Sequence, residues 1–312
     1  MNVVFLHPHA KNRNLPSVRV NTLLPAQYLS LKGYNACMVE TVYELEAKNP
    51  DIAVVMSAYQ TEDVLSLKRK LPNLKVVLFQ SDGPVATDDC MDAVNAIVTD
   101  SEPLLETIPA RCLYKTVSIP DTLEAKRGML RRHTKGKLRL VWVGTGGNYF
   151  FAESVIAALR KSGWNVTTIC DGANATVQWD LNTVDGEIDK CDVGIVPYPE
   201  DLIIADTKTY NRFRYKDNSR MVLLQALGLP VVVSPLPAHL LYARHNETAL
   251  FANSNNQWLD CIQYLQDNPD CYNTIAEDGY IQAWQYAAPE ITGAQWEAVM
   301  QRACLPRTLR VI

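Results

Sequence analysis

No stretch of the 312 residues approaches the roughly 20 apolar residues that a bilayer span needs; the apolar runs, such as Val231–Val233 with its neighbours, stop far short of it. Positive charge is not in excess either. Thirty Lys and Arg stand against 34 Asp and Glu, a formal charge of -4, which excludes polyanion binding driven by global charge alone. The eight cysteines never form a C-x-x-C pair, so a zinc knuckle and a dithiol redox motif are excluded, and reduced thiols in a cytoplasmic protein are expected. The first nine residues hold only a short apolar run, ended by His7 and Pro8, without a basic leader, so a secretory signal is not expected. Asn165, Asn174 and Asn246 stand in N-x-T sequons that would then stay unmodified. No Gly-Lys-Ser/Thr follows a glycine loop, and Tyr149 stands where the third glycine of a dinucleotide fingerprint would be. The two best-known phosphate loops are therefore missing.

What is present is an ordinary globular composition, 47% hydrophobic and 21% charged, with a regular alternation. Short runs rich in Val, Ile and Leu, the pattern of buried parallel strands, recur at 3–6, 36–39, 52–56, 75–79, 96–99 and 114–118. Between them, 17–32 and 61–71 space their apolar residues by three and four, as amphipathic helices do. The pattern then restarts, with strands expected at 138–143, 165–170, 193–196 and 231–233, a helix at 150–161, and three closing helices at 256–267, 273–288 and 293–304. The prediction is an α/β protein of two doubly wound parallel sheets facing a central cleft, with ligands at the carboxyl ends of strands. The domains are expected at 1–125 and 138–288, joined by a basic connection at 126–137, with 289–312 packing back on the first domain. Charge runs usually face water, so the basic connection is either a solvated face or a seat for an anion.

Three places carry candidate chemistry. After the first strand, His7-Pro8-His9 leads into a polar loop and then Arg19 at a helix start. The arginine serves either an anionic ligand or a neighbouring element, and the two histidines lack a third metal ligand at a fixed spacing. After the strand at 138–143, Gly144-Thr145-Gly146-Gly147 turns into a helix, either presenting N–H groups to a phosphate or using glycine for geometry alone. After the strand ending in Pro197-Tyr198, the segment Lys216-Asp217-Asn218-Ser219-Arg220 heads another helix. Lys216 and Arg220 would share one face if both were helical, and cations at that end oppose the helix dipole, which points to an anion seated there. In the first half Asp82, before Gly83-Pro84, either faces the cleft or makes an Asx turn.

The succession Asp192-Val193-Gly194-Ile195-Val196-Pro197, Lys216-x-x-x-Arg220 and Ala226-x-Gly228-Leu229-Pro230-Val231-Val232 resembles the donor half of the glycosyl transferases group 1 family, also called glycosyltransferase family 4. The resemblance spans most of 138–290 and is weaker in the first half. It implies the GT-B architecture of two Rossmann-like domains and a retaining, metal-independent transfer of sugar from a nucleotide-sugar donor to an acceptor hydroxyl, with no further cofactor. It also implies that Lys216 and Arg220 contact the donor diphosphate, that 144–147 lies beneath it, and that Pro197, Tyr198, Asn218 and Ser219 complete the donor site. Arg19 would reach the same phosphates, and Asp82 would orient the acceptor. One departure stands out: the family usually has a glutamate where this chain has Leu223. The acceptor is not specified by the sequence. A glycan, a small molecule or DNA with a hydroxymethylated base all fit, and a non-catalytic nucleotide- or sugar-binding module is the reading from another class.

Overall fold

The computed structural model describes residues 1–57, 59, 61–81, 86–126, 128–134, 136–199 and 213–305. The chain divides into two compact units, one of Met1–Glu124 with Tyr286–Ile312 and the other of Ala125–Gln285. Each is built on a six-stranded, wholly parallel sheet. Such sheets need both faces covered, and this explains why their strands are runs of Val, Ile and Leu rather than alternations.

The first sheet orders its strands β2 (Asn35–Val39), β1 (Asn2–Leu6), β3 (Ile52–Met56), β4 (Lys75–Gln80), β5 (Ala96–Thr99) and β6 (Thr116–Ser118). Alternate residues of β1 serve opposite faces. Val4 and Leu6 join Val55, Leu78 and Ile97 in one core, while Val3 and Phe5 join Val54, Phe79 and Trp296 in the other. Trp296 comes from the helix Pro289–Cys304 near the end of the chain. Its ring meets Phe5 edge-on at 5.6 Å and stacks on Phe79 at 5.8 Å, so this late helix completes a core begun by the first strand. The chain leaves and re-enters the unit side by side, with Leu123 N–H donating to the Ala287 carbonyl. The strand expected at 114–118 begins only at Thr116, because Ala110–Lys115 winds as a 3₁₀ helix.

The second sheet runs β12 (Leu250–Phe251), β11 (Val231–Val233), β10 (Val193–Val196), β7 (Arg139–Val143), β8 (Asn165–Cys170) and β9 (Val177–Gln178). The chain winds outward from β7 through β8 to β9, then crosses to β10 on the other side of β7. That reversal leaves a crevice at the carboxyl ends of β7 and β10, where ligands bind in open sheets of this kind. The basic segment after residue 125 belongs to this unit and is tied down by ion pairs: Arg131 to Asp189 at 2.6 Å and Arg132 to Glu277 at 3.2 Å. It lies across Gly228, where the chain turns with φ +82° after the helix Ser219–Ala226. A Cβ there would meet the Met129 carbonyl oxygen at 2.6 Å, so both backbone conformation and space demand glycine. All eight cysteines are free thiols.

Candidate functional site at the switch point of the second sheet

Two loops at the reversal supply the floor of the site. The turn after β7, Gly144–Gly147, passes through a short 3₁₀ turn (Gly146–Asn148) into the helix Tyr149–Lys161. Its glycines serve different ends. A Cβ on Gly144 would meet the Trp142 ring at 2.8 Å, and one on Gly146 would meet the backbone of Gly172 at 2.8 Å, so these two allow packing. Gly147 has open space around it. The Gly146 N–H is taken by the Asp171 carboxylate, whereas the N–H groups of Thr145 and Gly147 have no partner among the described residues. Two amide donors at a helix start are the usual means of holding an oxyanion.

The loop after β10 delivers Tyr198, whose backbone is clamped to the end of β11. Tyr198 N–H donates to Ser234 Oγ at 2.8 Å, and Ser234 Oγ–H donates back to the Tyr198 carbonyl at 3.0 Å. The Tyr198 ring, buried, packs against Phe213 and Phe151.

Arg220 stands in the first turn of the helix Ser219–Ala226. Its guanidinium lies 5.8 Å from the Tyr198 ring and 6.0 Å from the Trp142 ring, which fixes its position without consuming its charge. No carboxylate or carbonyl among the described residues takes its hydrogens. Five N–H donors are thus presented by a half-buried, preorganised cation.

Lys216 behaves differently from what its spacing suggests. The helix begins at Ser219, so Lys216 precedes it and does not share a helical face with Arg220. Its ammonium pairs with the adjacent Asp217 carboxylate at 2.8 Å, both side chains being largely covered. Asp217 also accepts the Ser219 N–H at 2.8 Å and the Ser219 hydroxyl. Burial works against ionisation of this acid, but the Lys216 ammonium and the Ser219 donors outweigh it and hold the carboxyl well below the usual carboxylate range. The anion inferred from the opposed helix dipole is therefore Asp217 itself. Asn218, 5% exposed, makes no side-chain hydrogen bond among the described residues.

His239 was not singled out by its sequence context. It follows β11 in a six-residue helix, Pro237–Tyr242, too short to show a periodicity, and its only signal is its place in a loop after a strand. Its ring is 1% exposed, 6.2 Å from the Tyr198 ring, with Nδ1 2.7 Å from the Ser234 carbonyl. Burial lowers its pKa to about 4, the Ser234 carbonyl and Asp217 opposing the shift and Arg220 and Lys216 adding to it.

In the first unit Arg19 is committed within its own fold. Its Nε and Nη2 donate to the two Glu124 oxygens at 2.5 and 2.8 Å, and Nη1 donates to the Arg13 carbonyl at 2.8 Å. The guanidinium ties the start of the second helix region to the end of the unit's first chain segment. Asp82 lies outside the described residues. His7 Nδ1 accepts the His9 N–H at 3.1 Å, so the imidazole proton sits on Nε2, facing Ser17 Oγ at 3.3 Å. Among the described residues no group of three or more His, Cys, Asp or Glu side chains is placed to hold a metal ion, and no helix is long and apolar enough to cross a membrane.

No family model matches the sequence, and neither does any curated protein. Solved structures do match in shape. Sucrose-phosphate synthase from Thermosynechococcus elongatus aligns with a TM-score of 0.72 at 11% identity, over 97% of this chain and 98% of that one. Anabaena HepE, solved with UDP and glucose, gives 0.66 at 9% identity over 96% and 99%. A glycosyltransferase from Rickettsia africae gives 0.66 at 12% identity over 98% and 99%. At such identities the likeness speaks for architecture, and it agrees with the two parallel sheets. The chain has the GT-B fold.

Proposed function

We propose that the protein is a glycosyltransferase that moves a sugar from a nucleoside diphosphate to an acceptor hydroxyl, with retention of configuration and without a metal ion. The observation that carries this reading is Arg220. It is a cation preorganised on two aromatic rings at the carboxyl ends of β7 and β10, with no anion paired to it among the described residues and with the amides of Thr145 and Gly147 on the neighbouring turn likewise without a partner there. A diphosphate is acceptor-only and gathers negative charge as the bond to the sugar breaks, so donors fixed in advance stabilise the transition state more than the ground state.

Lys216 adds to the positive potential while paired with Asp217, and Asn218 offers an amide beside it. Tyr198 and Pro197 shape the wall through the clamp to Ser234. Arg19 acts through the fold of the first unit, by way of Glu124. HepE was solved with UDP and glucose and another of the similar structures, an alpha-glucosyltransferase, with UDP, so a uridine donor is the first to test here. A polyanionic acceptor has less support, since Arg131, Arg132 and Arg139 are each already paired with an acid.

The test is a binding and turnover panel of UDP, GDP, ADP and dTDP with their sugar conjugates, read by calorimetry and by release of free sugar or nucleoside diphosphate. Binding of one base family, abolished by Arg220→Ala in a folded protein, is expected. Absence of binding to every member would overturn the proposal.

A further inference from the structure

Donors crowd the switch-point site: the Arg220 guanidinium, the Lys216 ammonium and the amides of Thr145 and Gly147 all suit phosphate oxygens. A sugar, by contrast, presents hydroxyl groups, which need acceptors as well. The nearby carboxylate has little left to offer, because of the roughly four acceptor positions of Asp217 three already take the Lys216 ammonium and the Ser219 N–H and hydroxyl. Ser234 Oγ is likewise engaged on both sides by the Tyr198 backbone. Leu223, one turn beyond Arg220 on the same helix, is apolar.

His239 has what is missing. A carbonyl oxygen only accepts, so the 2.7 Å contact between Nδ1 and the Ser234 carbonyl puts the imidazole proton on Nδ1. Nε2 then carries a lone pair, and among the described residues it has no partner although the side chain is 1% exposed. A lone pair held in place by a ring fixed at its other nitrogen is a ready acceptor for a hydroxyl. The ring is fixed by the same serine that clamps Tyr198, and it feels the charges of Asp217, Arg220 and Lys216, so it belongs to this cluster rather than to a separate one. Its lowered pKa keeps it neutral, hence an acceptor, throughout the neutral range.

Building on the proposed transfer reaction, we propose that His239 is a specificity-determining residue that accepts, at Nε2, a hydrogen bond from a hydroxyl of the transferred sugar. The diphosphate is recognised by Arg220 and the amides; the sugar is recognised by the imidazole. The two halves of one ligand are then separable by mutation.

The experiment measures affinity for the tightest-binding nucleoside diphosphate of UDP, GDP, ADP and dTDP and for its glucose conjugate, in the intact protein and in His239→Phe, His239→Gln and Arg220→Ala. His239→Phe should bind the bare diphosphate within about twofold of the parent and lose roughly five- to hundredfold for the conjugate, the cost of an unmet hydroxyl. His239→Gln, which keeps an acceptor near Nε2, should recover most of that loss. Equal losses for diphosphate and conjugate, or none for either, would overturn the inference while Arg220→Ala still reports on the reaction. If no pair binds the parent protein, both readings fall together. Because His239→Phe can fail to fold, the parent protein labelled with ¹⁵N-histidine gives a second reading, with His239 assigned through His239→Gln. The conjugate should move the Nε2 resonance and the bare diphosphate should leave it in place; a resonance unmoved by either ligand refutes the assignment.

Discussion

Replacing Arg220 by Met separates what the residue does for a ligand from what it does for the fold. In the free protein its charge opposes the dipole of the helix Ser219–Ala226, a penalty of about 0.3–1 kcal/mol. Against that stand two ring contacts, at 5.8 and 6.0 Å, each contributing about 0.5–1 kcal/mol at a site open to solvent. Among the described residues there is no ion pair to lose. The difference is a net contribution between zero and roughly 2 kcal/mol, and a Met side chain regains part of it by lying on the same rings. The melting temperature of Arg220→Met should therefore move by only a few degrees, taking about 2–4 °C per kcal/mol for a domain of this class. Binding is another matter. Each charge-assisted hydrogen bond to phosphate contributes about 1.5–3 kcal/mol, so the variant should lose about ten- to hundredfold in affinity for a nucleoside diphosphate per bond removed. Differential scanning fluorimetry and isothermal titration on the same sample read the two quantities. A melting point lowered by ten degrees or more with nucleotide affinity intact would show that Arg220 is an anchor of the fold and not a ligand contact.

Gly228→Ala should cost more than the ~1–2 kcal/mol of a left-handed backbone, because its Cβ meets the Met129 carbonyl oxygen at 2.6 Å and the Leu130 Cα at 2.9 Å; urea unfolding checks it, and a neutral result would mean that the segment across it yields freely. Glu124→Ala takes away the carboxylate that receives Nε and Nη2 of Arg19, whose side chain is 5% exposed, and should destabilise by about 3–5 kcal/mol, whereas Arg19→Met combined with Glu124→Leu should recover much of that in a double-mutant cycle. His239 titrates near 4 when folded and near 6.5 when unfolded, so the unfolded chain takes up the proton first and stability falls as pH drops from about 6.5 towards 4. The limiting slope from this residue is about 1.4 kcal/mol per pH unit, and His239→Gln should flatten the stability profile in that window; an unchanged slope would place the titration elsewhere. Above pH 6.5 both proteins should show the same pH dependence.

Strands at the centre of both sheets were legible because burial on two faces leaves an unmistakable mark. Ile52–Met56, Ala96–Thr99, Asn165–Cys170, Val193–Val196 and Val231–Val233 are all expected and observed at the same residues. The shortest elements were not. Val177–Gln178 and Leu250–Phe251 are two residues each, shorter than any periodicity, and the helices Val42–Lys48 and Pro237–Tyr242 bury too few apolar residues to show a stripe. The candidate site divides along the same line. Arg220 and the glycine turn announced themselves by position after strands, while His239 was hidden in one of those short helices. Asp217 stands between the two cations in the sequence, but that it neutralises one of them depends on backbone geometry at 216–219, which residue spacing does not encode.

The first unit is stitched from both ends of the chain, and synthesis runs in one direction. Until residues 289–304 leave the ribosome, Phe5 and Phe79 lack the Trp296 ring that caps them, so the part translated first is the part that matures last. Throughout elongation of the intervening 160 or so residues, a nascent chain carries a bare aromatic face of the kind that holdase chaperones recognise. A chain stopped before residue 289 would thus be crippled in the half of the molecule that was made first.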